Sequence, residues 1–449
     1  MTKHTIITAK SQLIQYFHDG NTPFEDWGIG TEHEKFLYRA DNLKRLNYEE
    51  IRTILQQIQP NGWTPIMEDE NIIGLSKNGA SITLEPGGQF ELSGKNFKTI
   101  HQTYCETAQH FNELSALYEK LNFFSVTMGL DPLWLPTDVD WMPKKRYEIM
   151  RNYMPSVGTL GLDMMTRTST IQVNLDYADE TDMIVKMRIA QGLQAIATAI
   201  FANSPFSQGK PNGYLSYRSE IWNDTDADRC GFLDLVFQEN FSFETWVDYL
   251  LDVPMYFIYR EGKYLPATHI TFRQFMNGEH SEKATLQDWE NHCTTVFPDV
   301  RLKRYIEMRG ADASCVAHIA ALSALWTGIL YDEQSRKDAY AMISNWSIND
   351  MKEIRRQVPK LALKAQAGDL NVLEIARTMV QLADEGLTRR AKLCHTNDES
   401  HYLDPLKAIV STGVTQAERN LYLYHSKYQS NMKAMLHDWQ KNHWENCGE

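Results

Sequence analysis

Four stretches of this chain alternate so that one side of each carries acids, amides or guanidinium groups. In "GTEHEKFLY" (30–38), Glu32, Glu34, Phe36 and Tyr38 share one parity; His33, Lys35 and Leu37 share the other. "TLEPGGQFELSG" (83–94) places Thr83 and Glu85 before a Pro86-Gly87-Gly88 turn, with Gln89, Glu91 and Ser93 after it. "TRTSTIQVNLDY" (166–177) sets Thr166, Thr168, Thr170, Gln172, Asn174 and Asp176 against Ile171, Val173, Leu175 and Tyr177. "RLKRYIEMRG" (301–310) sets Arg301, Lys303, Tyr305, Glu307 and Arg309 against Leu302, Arg304, Ile306 and Met308. Residues of equal parity point to one face of a strand, so these stretches predict antiparallel strands with one core face and one polar face.

A face turned to water explains any one of these strands taken alone. Together they read better as the walls of one cleft, because the acids concentrate beside glycine turns and one acid sits between arginines. Two carboxylates 6 Å apart repel by roughly 3 kcal/mol at an effective dielectric near 20. Five acids in one cleft therefore call for cations. Hard divalent ions held by oxygen are the remedy, and magnesium brings phosphates with it. Arg301 and Arg309 would then meet phosphate oxygens that the metals leave uncovered.

Strand-like and helix-like segments alternate to about residue 310, and the remainder reads as helical. Helical spacing runs through 97–122, 182–205 and 315–333, the last apolar nearly all round, and through 348–446 with breaks at Pro359 and Gly368-Asp369. No compositional seam divides the 449 residues, so a single catalytic domain over 1–449 is expected, with about 335–449 a helical region of it. A formal net charge of −13 argues against nucleic acid or an anionic membrane as partner. The start, "MTKHTIITAKSQLIQYF", lacks a basic head followed by a long apolar run, and no stretch is long and apolar enough for a bilayer span. A soluble, cytoplasmic protein is the expectation.

Other signals weaken on inspection. Gly28-Ile29-Gly30 lacks the lysine of a phosphate loop and the third glycine of a dinucleotide loop, and reads as a turn. "DTDADRCGFLDL" (224–235) has Arg229 where a calcium loop needs glycine. The six cysteines, 105, 230, 293, 315, 394 and 447, are scattered, and reduced thiols are expected. His33 lies opposite the acids and reads as structural.

These strands in this order resemble the glutamate–cysteine ligase family, in its plant and proteobacterial branch. The resemblance is carried by "GIGTEHEKF", "SITLEPGGQFELSG", "KKRYEIMRNYMPSVGTLGLDMMTRTSTIQVNLD", "FANSPFSQGKPNGYLSYRSEIWNDTDADR", "LDVPMYFIYREGKY", "DWENHCTTVFPDVRLKRYIEMRGAD", "ILYDEQSR" and "GVTQAERNL", spanning about residues 25–425. It implies an α+β, glutamine-synthetase-like fold: a curved antiparallel sheet forming a funnel-shaped active site, backed by helices, with a helical C-terminal third. The implied reaction joins the γ-carboxyl of L-glutamate to the amine of L-cysteine, with ATP, through a γ-glutamyl phosphate, as the first step of glutathione synthesis. Two or three magnesium ions are implied, with Glu32, Glu34, Glu85, Glu91, Gln172 and Glu307 as ligands. Arg309 and Arg218 are implied as the catalytic cations, Arg309 steadying the transferred phosphoryl group and Arg218 gripping the substrate carboxylate, and Thr166, Thr168, Asn174, Arg151, Trp222 and Tyr256 as the substrate pocket. A monomer or weak homodimer is expected. Two alternatives stay open: a ligase with another amine acceptor, and an idle relative that binds nucleotide or metal. Where plant members carry regulatory cysteines this chain has Tyr104, Ala267 and Ala320, so thiol switching is not expected.

Overall fold

The computed structural model describes residues 4–442. Nine strands form one antiparallel sheet: β1 (Ile29–Arg39), β2 (Thr64–Glu68), β3 (Asn71–Lys77), β4 (Ala80–Leu84), β5 (Phe90–Ser93), β6 (Phe123–Val126), β7 (Thr170–Leu175), β8 (Val300–Leu302) and β9 (Ile306–Asp312). Their order is β8-β9-β7-β1-β5-β4-β3-β2, with β6 pairing the far end of β1. The helices that matter to the site are α1 (Ile100–Leu121), α2 (Glu180–Ile200), α3 (Tyr217–Asn223), α4 (Val316–Leu330), α5 (Ile348–Leu361) and α6 (Val372–Cys394). The protein is thus α+β, and beyond β9 the described residues are helical except for irregular links and a small hairpin.

Local chemistry sets the limits of these elements. Thr99 and Gln102 form a reciprocal cap at the start of α1, which ends where Asn122 turns left-handed (φ 56°). Asp179 caps α2 through the N–H of Asp182. The apolar parity of the strands faces these helices. Ile171, Val173, Leu175, Ile306 and Met308 share one core with Met187 and Ile196 of α2 and Leu322 and Leu325 of α4. Leu84, Phe90 and Leu92 join Leu114 of α1 in a second core. Each fully buried Leu or Ile here contributes about 1.5–3 kcal/mol. Helix α4 is apolar all round because the sheet, α1 and α6 cover it together.

Three boundaries differ from the sequence expectation. Thr166 and Thr168 are not strand residues: a helix runs over Gly161–Arg167, and the strand starts only at Thr170. Their hydroxyls donate back to the carbonyls of Leu162 and Met164, four residues earlier, an option threonine has on a helix. The stretch 301–310 is a hairpin, with Lys303–Tyr305 as its turn and Arg301 paired across the ladder with Glu307. Parity survived the turn, which is why one continuous strand fitted the pattern. Pro359 lies inside α5 rather than breaking it; the helix stops two residues on, and the Pro359 carbonyl accepts from the N–H groups of Leu215 and Ser216. Gly368 does turn the chain, at φ +53° within the hairpin of Gln366–Ala367 and Leu370–Asn371.

The cysteines also need correction. Cys105, Cys230, Cys293 and Cys394 are free, but Cys315 is disulfide-bonded, so the expectation of six reduced thiols fails. Cys105 is not its partner. Cys447 lies outside the described residues, as do 443–446 of the expected helical stretch. Among the described residues no helix is long and apolar enough to cross a membrane.

Candidate active site

The ladder brings the acids together by register. Glu34 on β1 stands directly opposite Glu91 on β5, and Glu32 is flanked by Ser93 on one side and Gln172 of β7 on the other. Like charges directly opposite in a ladder destabilise it. Glu85 joins them from the end of β4, where Pro86-Gly87-Gly88 turns the chain into β5. That turn is clamped on every side. Arg45 donates to the Gly87 carbonyl (2.6 Å) and to Asp131 (2.8 Å), a buried pair that Tyr38 also joins. The Gln89 amide accepts from the Gly87 N–H and donates to the carbonyls of Met165 and Thr168. A Cβ on Gly87 would meet the Thr166 backbone at 2.5 Å, so only glycine lets the turn lie this close.

Burial and repulsion keep these acids from ionising freely. Burial, then Glu307 and Glu91, raises the Glu32 carboxyl to about 7, against the hydrogen bond it accepts from Asn174 (2.8 Å). Glu34 is pushed well above the usual range by burial and by Glu91 and Glu85; its relief is the Thr170 N–H and the Arg218 charge. Glu91 is raised by burial and Glu85 despite the Thr83 and Ser93 hydroxyls it accepts from.

Across the cleft the balance reverses. Burial alone would raise Glu307, but Arg301, Lys303 and Arg309 outweigh it and hold its carboxyl well below the usual range. Arg301 is consumed in this: Nε and Nη2 donate to both Glu307 oxygens, and Nη1 to the carbonyls of Thr294 and Val296. Arg309 commits only Nη1, to Gln172 (2.7 Å) and Glu307 (2.7 Å). Its position follows from a bulge between Met308 and Ala311, where the β9–β7 register slips by one residue. Gly310 in that bulge faces Gln194 of α2 so closely that a Cβ would lie 2.5 Å from the amide. Arg218 on α3 is buried, and its Nη2 donates to the Arg309 carbonyl (2.9 Å).

A cleft of about 230 Å³ unites Glu32, Glu34, Glu85, Glu91, Gln172, Thr168, Arg218, Trp222, Arg301 and Arg309. Five expected site residues are elsewhere. Thr166 spends its hydroxyl on its own helix and is fully buried. Asn174 and Glu307 lie outside the lining: Asn174 spends its Nδ2 on Glu32 while its buried Oδ1 has no partner among the described residues, and Glu307 is spent on the three cations. Arg151 is exposed, stacked over Trp141 at 4.6 Å. Tyr256 is buried under the Arg229 guanidinium (3.9 Å), its hydroxyl on the Met154 sulfur. Arg146, Tyr147 and Met150 of the same helix as Arg151 do line the cleft, and helical phase rather than residue type would have found them. Met164, Met165, Phe257 and Phe297 complete an apolar wall that alternation could not reveal, because none lies on the sheet.

The donor set is that of a hard divalent cation: four carboxylates and an amide oxygen, with no thiolate or imidazole in the lining. Among the described residues no three such groups are already close enough to hold a metal by themselves. Magnesium is typically held by one or two carboxylates, with waters and substrate phosphates completing its shell.

Buried acids that repel one another, facing an arginine with most of its fork unspent on one face of an antiparallel sheet, suit a ligase of the phosphoryl-transfer kind. The chain belongs to the glutamate–cysteine ligase family: the model of glutamate-cysteine ligase family 2 matches residues 28–435. Glutamate–cysteine ligase B, chloroplastic, of Oryza sativa subsp. japonica is 49% identical over 435 residues, covering 96% of this chain and 87% of that protein. The chloroplastic glutamate–cysteine ligase of Nicotiana tabacum is 50% identical over 436 residues, covering 95% and 83%. A solved glutamate–cysteine ligase from Francisella tularensis, in complex with AMP, covers 93% of this chain and 88% of its own at a TM-score of 0.54 and 13% identity, a likeness of fold alone. The chain is therefore an enzyme, a ligase. The plant relatives are named chloroplastic, which overturns the cytoplasmic expectation. That expectation rested on the start of the chain, and a start without a leader-like run does not fix a compartment.

Proposed function

We propose that this cleft joins the γ-carboxyl of L-glutamate to the amine of L-cysteine, with ATP as the driving substrate. ATP transfers its γ-phosphoryl group to the γ-carboxylate, leaving ADP; the cysteine amine then attacks the acyl carbon and phosphate departs. The products are γ-glutamylcysteine, ADP and phosphate. The observation that carries this reading is the register-enforced pairing of Glu34 with Glu91, beside Glu32 and Glu85, across one cleft from Arg309. Phosphoryl transfer needs positioning and charge neutralisation more than a protein nucleophile.

Glu32, Glu34, Glu85 and Glu91, with Gln172, would hold magnesium, whose chemistry there is to neutralise phosphate charge. Nε and Nη2 of Arg309 have no hydrogen-bond partner among the described residues and would meet phosphoryl oxygens. Arg218 and Trp222, one helical turn apart on α3, are placed for the glutamate carboxylate. Thr168 is within the same lining. The apolar wall of Met150, Met164, Met165, Phe257 and Phe297 suits a small apolar acceptor side chain, and methionine sulfur packs well against such groups. A single catalytic domain fits a site that draws on residues from β1 to β9 and a sheet that packs against the later helix α4, which α6 covers in turn.

The test is phosphate release from ATP, magnesium and glutamate with a panel of amines. Release that requires cysteine supports the reading. Release with another amine instead transfers it to a different acceptor, and no release with any amine rejects it.

A further inference from the structure

We propose that Asp312 is the positioning residue for Arg218, and so sets glutamate affinity from behind the cleft wall; this rests on the reading of Arg218 given above. Asp312 ends β9, opposite Thr170, and is fully buried. Among the described residues no cation forms an ion pair with it. Instead it collects three donors from two segments. The Asn203 N–H (2.8 Å) and the Ser204 hydroxyl (2.7 Å) donate to Oδ2, and the Ser216 hydroxyl (2.9 Å) donates to Oδ1.

Each hydroxyl passes the constraint on to α3. Ser204 Oγ accepts the backbone N–H of Arg218 itself (3.1 Å). Ser216 caps α3 by accepting the N–H of Ser219. The first turn of α3 therefore hangs from one carboxylate through two serines, both fully buried. Burial pushes the Asp312 carboxyl up and the Arg218 guanidinium down, and the charge of each partly offsets the shift of the other. At the other end of the side chain, Arg218 Nη2 holds the Arg309 carbonyl, three residues before Asp312 on the same strand. Arg218 is thus fixed at backbone and head by one short stretch of β9. A buried carboxylate without an ion pair is costly unless its hydrogen bonds are complete, and here completing them fixes an arginine that lines the cleft.

Asp312 touches no substrate, so its effect must appear through Arg218. Asp312→Asn keeps the shape but removes the charge and replaces one of the two accepting oxygens with a donor. The expected result is a glutamate KM raised at least about tenfold, with the KM for ATP within about twofold. Ser204→Ala and Ser216→Ala each raise the glutamate KM less, and neither adds its full effect to Asp312→Asn, because all act through one link. Arg218→Lys is the reference. If it raises the glutamate KM while Asp312→Asn and both serine variants leave it unchanged, the inference is wrong and the reading of Arg218 stands. If Arg218→Lys also leaves it unchanged, that reading fails and takes the inference with it. Should Asp312→Asn not fold, the serine variants decide: an unchanged glutamate KM in both, whatever the thermal midpoint, overturns the proposal.

Discussion

The acids that line the cleft and the buried acid behind its arginines are treated in opposite ways. Glu34 on β1 faces Glu91 and Glu85, and its acid is held well above the usual range. Glu307 on β9 faces Arg301, Lys303 and Arg309, and its acid is held well below. One set is short of positive charge; the other is neutralised, with arginine donors still to spare. The difference separates stability from function. Where charge is balanced inside the protein the carboxylate holds the fold; where it is not, the carboxylates lack a partner of opposite charge, as the proposed cation site requires.

The sharpest test applies one substitution to both. Glu34→Gln removes repulsion in the ligand-free cleft, so the thermal midpoint stays level or rises while turnover falls by about 10³ or more. Glu307→Gln leaves three cations short of a partner and costs about 3–5 kcal/mol of stability by denaturant unfolding. Equal stability changes at the two positions would erase the distinction. Next in size, Arg309→Lys lowers turnover by about 10², because a point charge cannot hold Gln172, Glu307 and a phosphoryl group at once. Turnover near wild type would take Arg309 out of the mechanism.

A smaller effect concerns pH. A carboxyl whose folded pKa exceeds its unfolded one stabilises the fold at low pH and loses that contribution as pH rises through the folded value. For Glu32 the window runs from the ordinary 4.5 to about 7. The thermal midpoint of the ligand-free protein should fall more steeply over that window than that of Glu32→Gln; parallel curves would mean Glu32 ionises normally. Smallest of all, Arg151→Ala changes turnover less than about twofold, since Arg151 lies outside the cleft over Trp141. A strong loss would put it back among the site residues.

How much of this was legible follows from which forces leave a trace in residue order. Period-two alternation exposed Glu32, Glu34, Glu85, Glu91, Gln172 and Arg309, because a strand face is written in parity. It failed at Thr166, where a helix shows the same small polar residues at the same spacing and hydroxyls can bond backward along it. It ran through the Lys303–Tyr305 turn because the hairpin register conserved parity, hiding that Arg301 faces Glu307 and is used up. Arg151 and Tyr256 were placed by resemblance, and the helix phase and Arg229 put them elsewhere. Arg45, Asp131 and Asp312 left no local signal at all. Arg45 reaches Gly87 across 42 residues and Asp131 across 86, and Asp312 reaches Asn203 across 109, so only the fold brings these partners together.

Isothermal titration of magnesium and ATP into the ligand-free protein, near pH 6.5 in two buffers of different ionisation enthalpy, reads the central claim directly. Binding should release protons, because Glu32 and Glu34 must give them up to meet a cation, and the release should shrink toward pH 8.5 and fall in Glu34→Gln. Tight binding with no proton released, unchanged in that variant, would show that the lining acids do not take the cation.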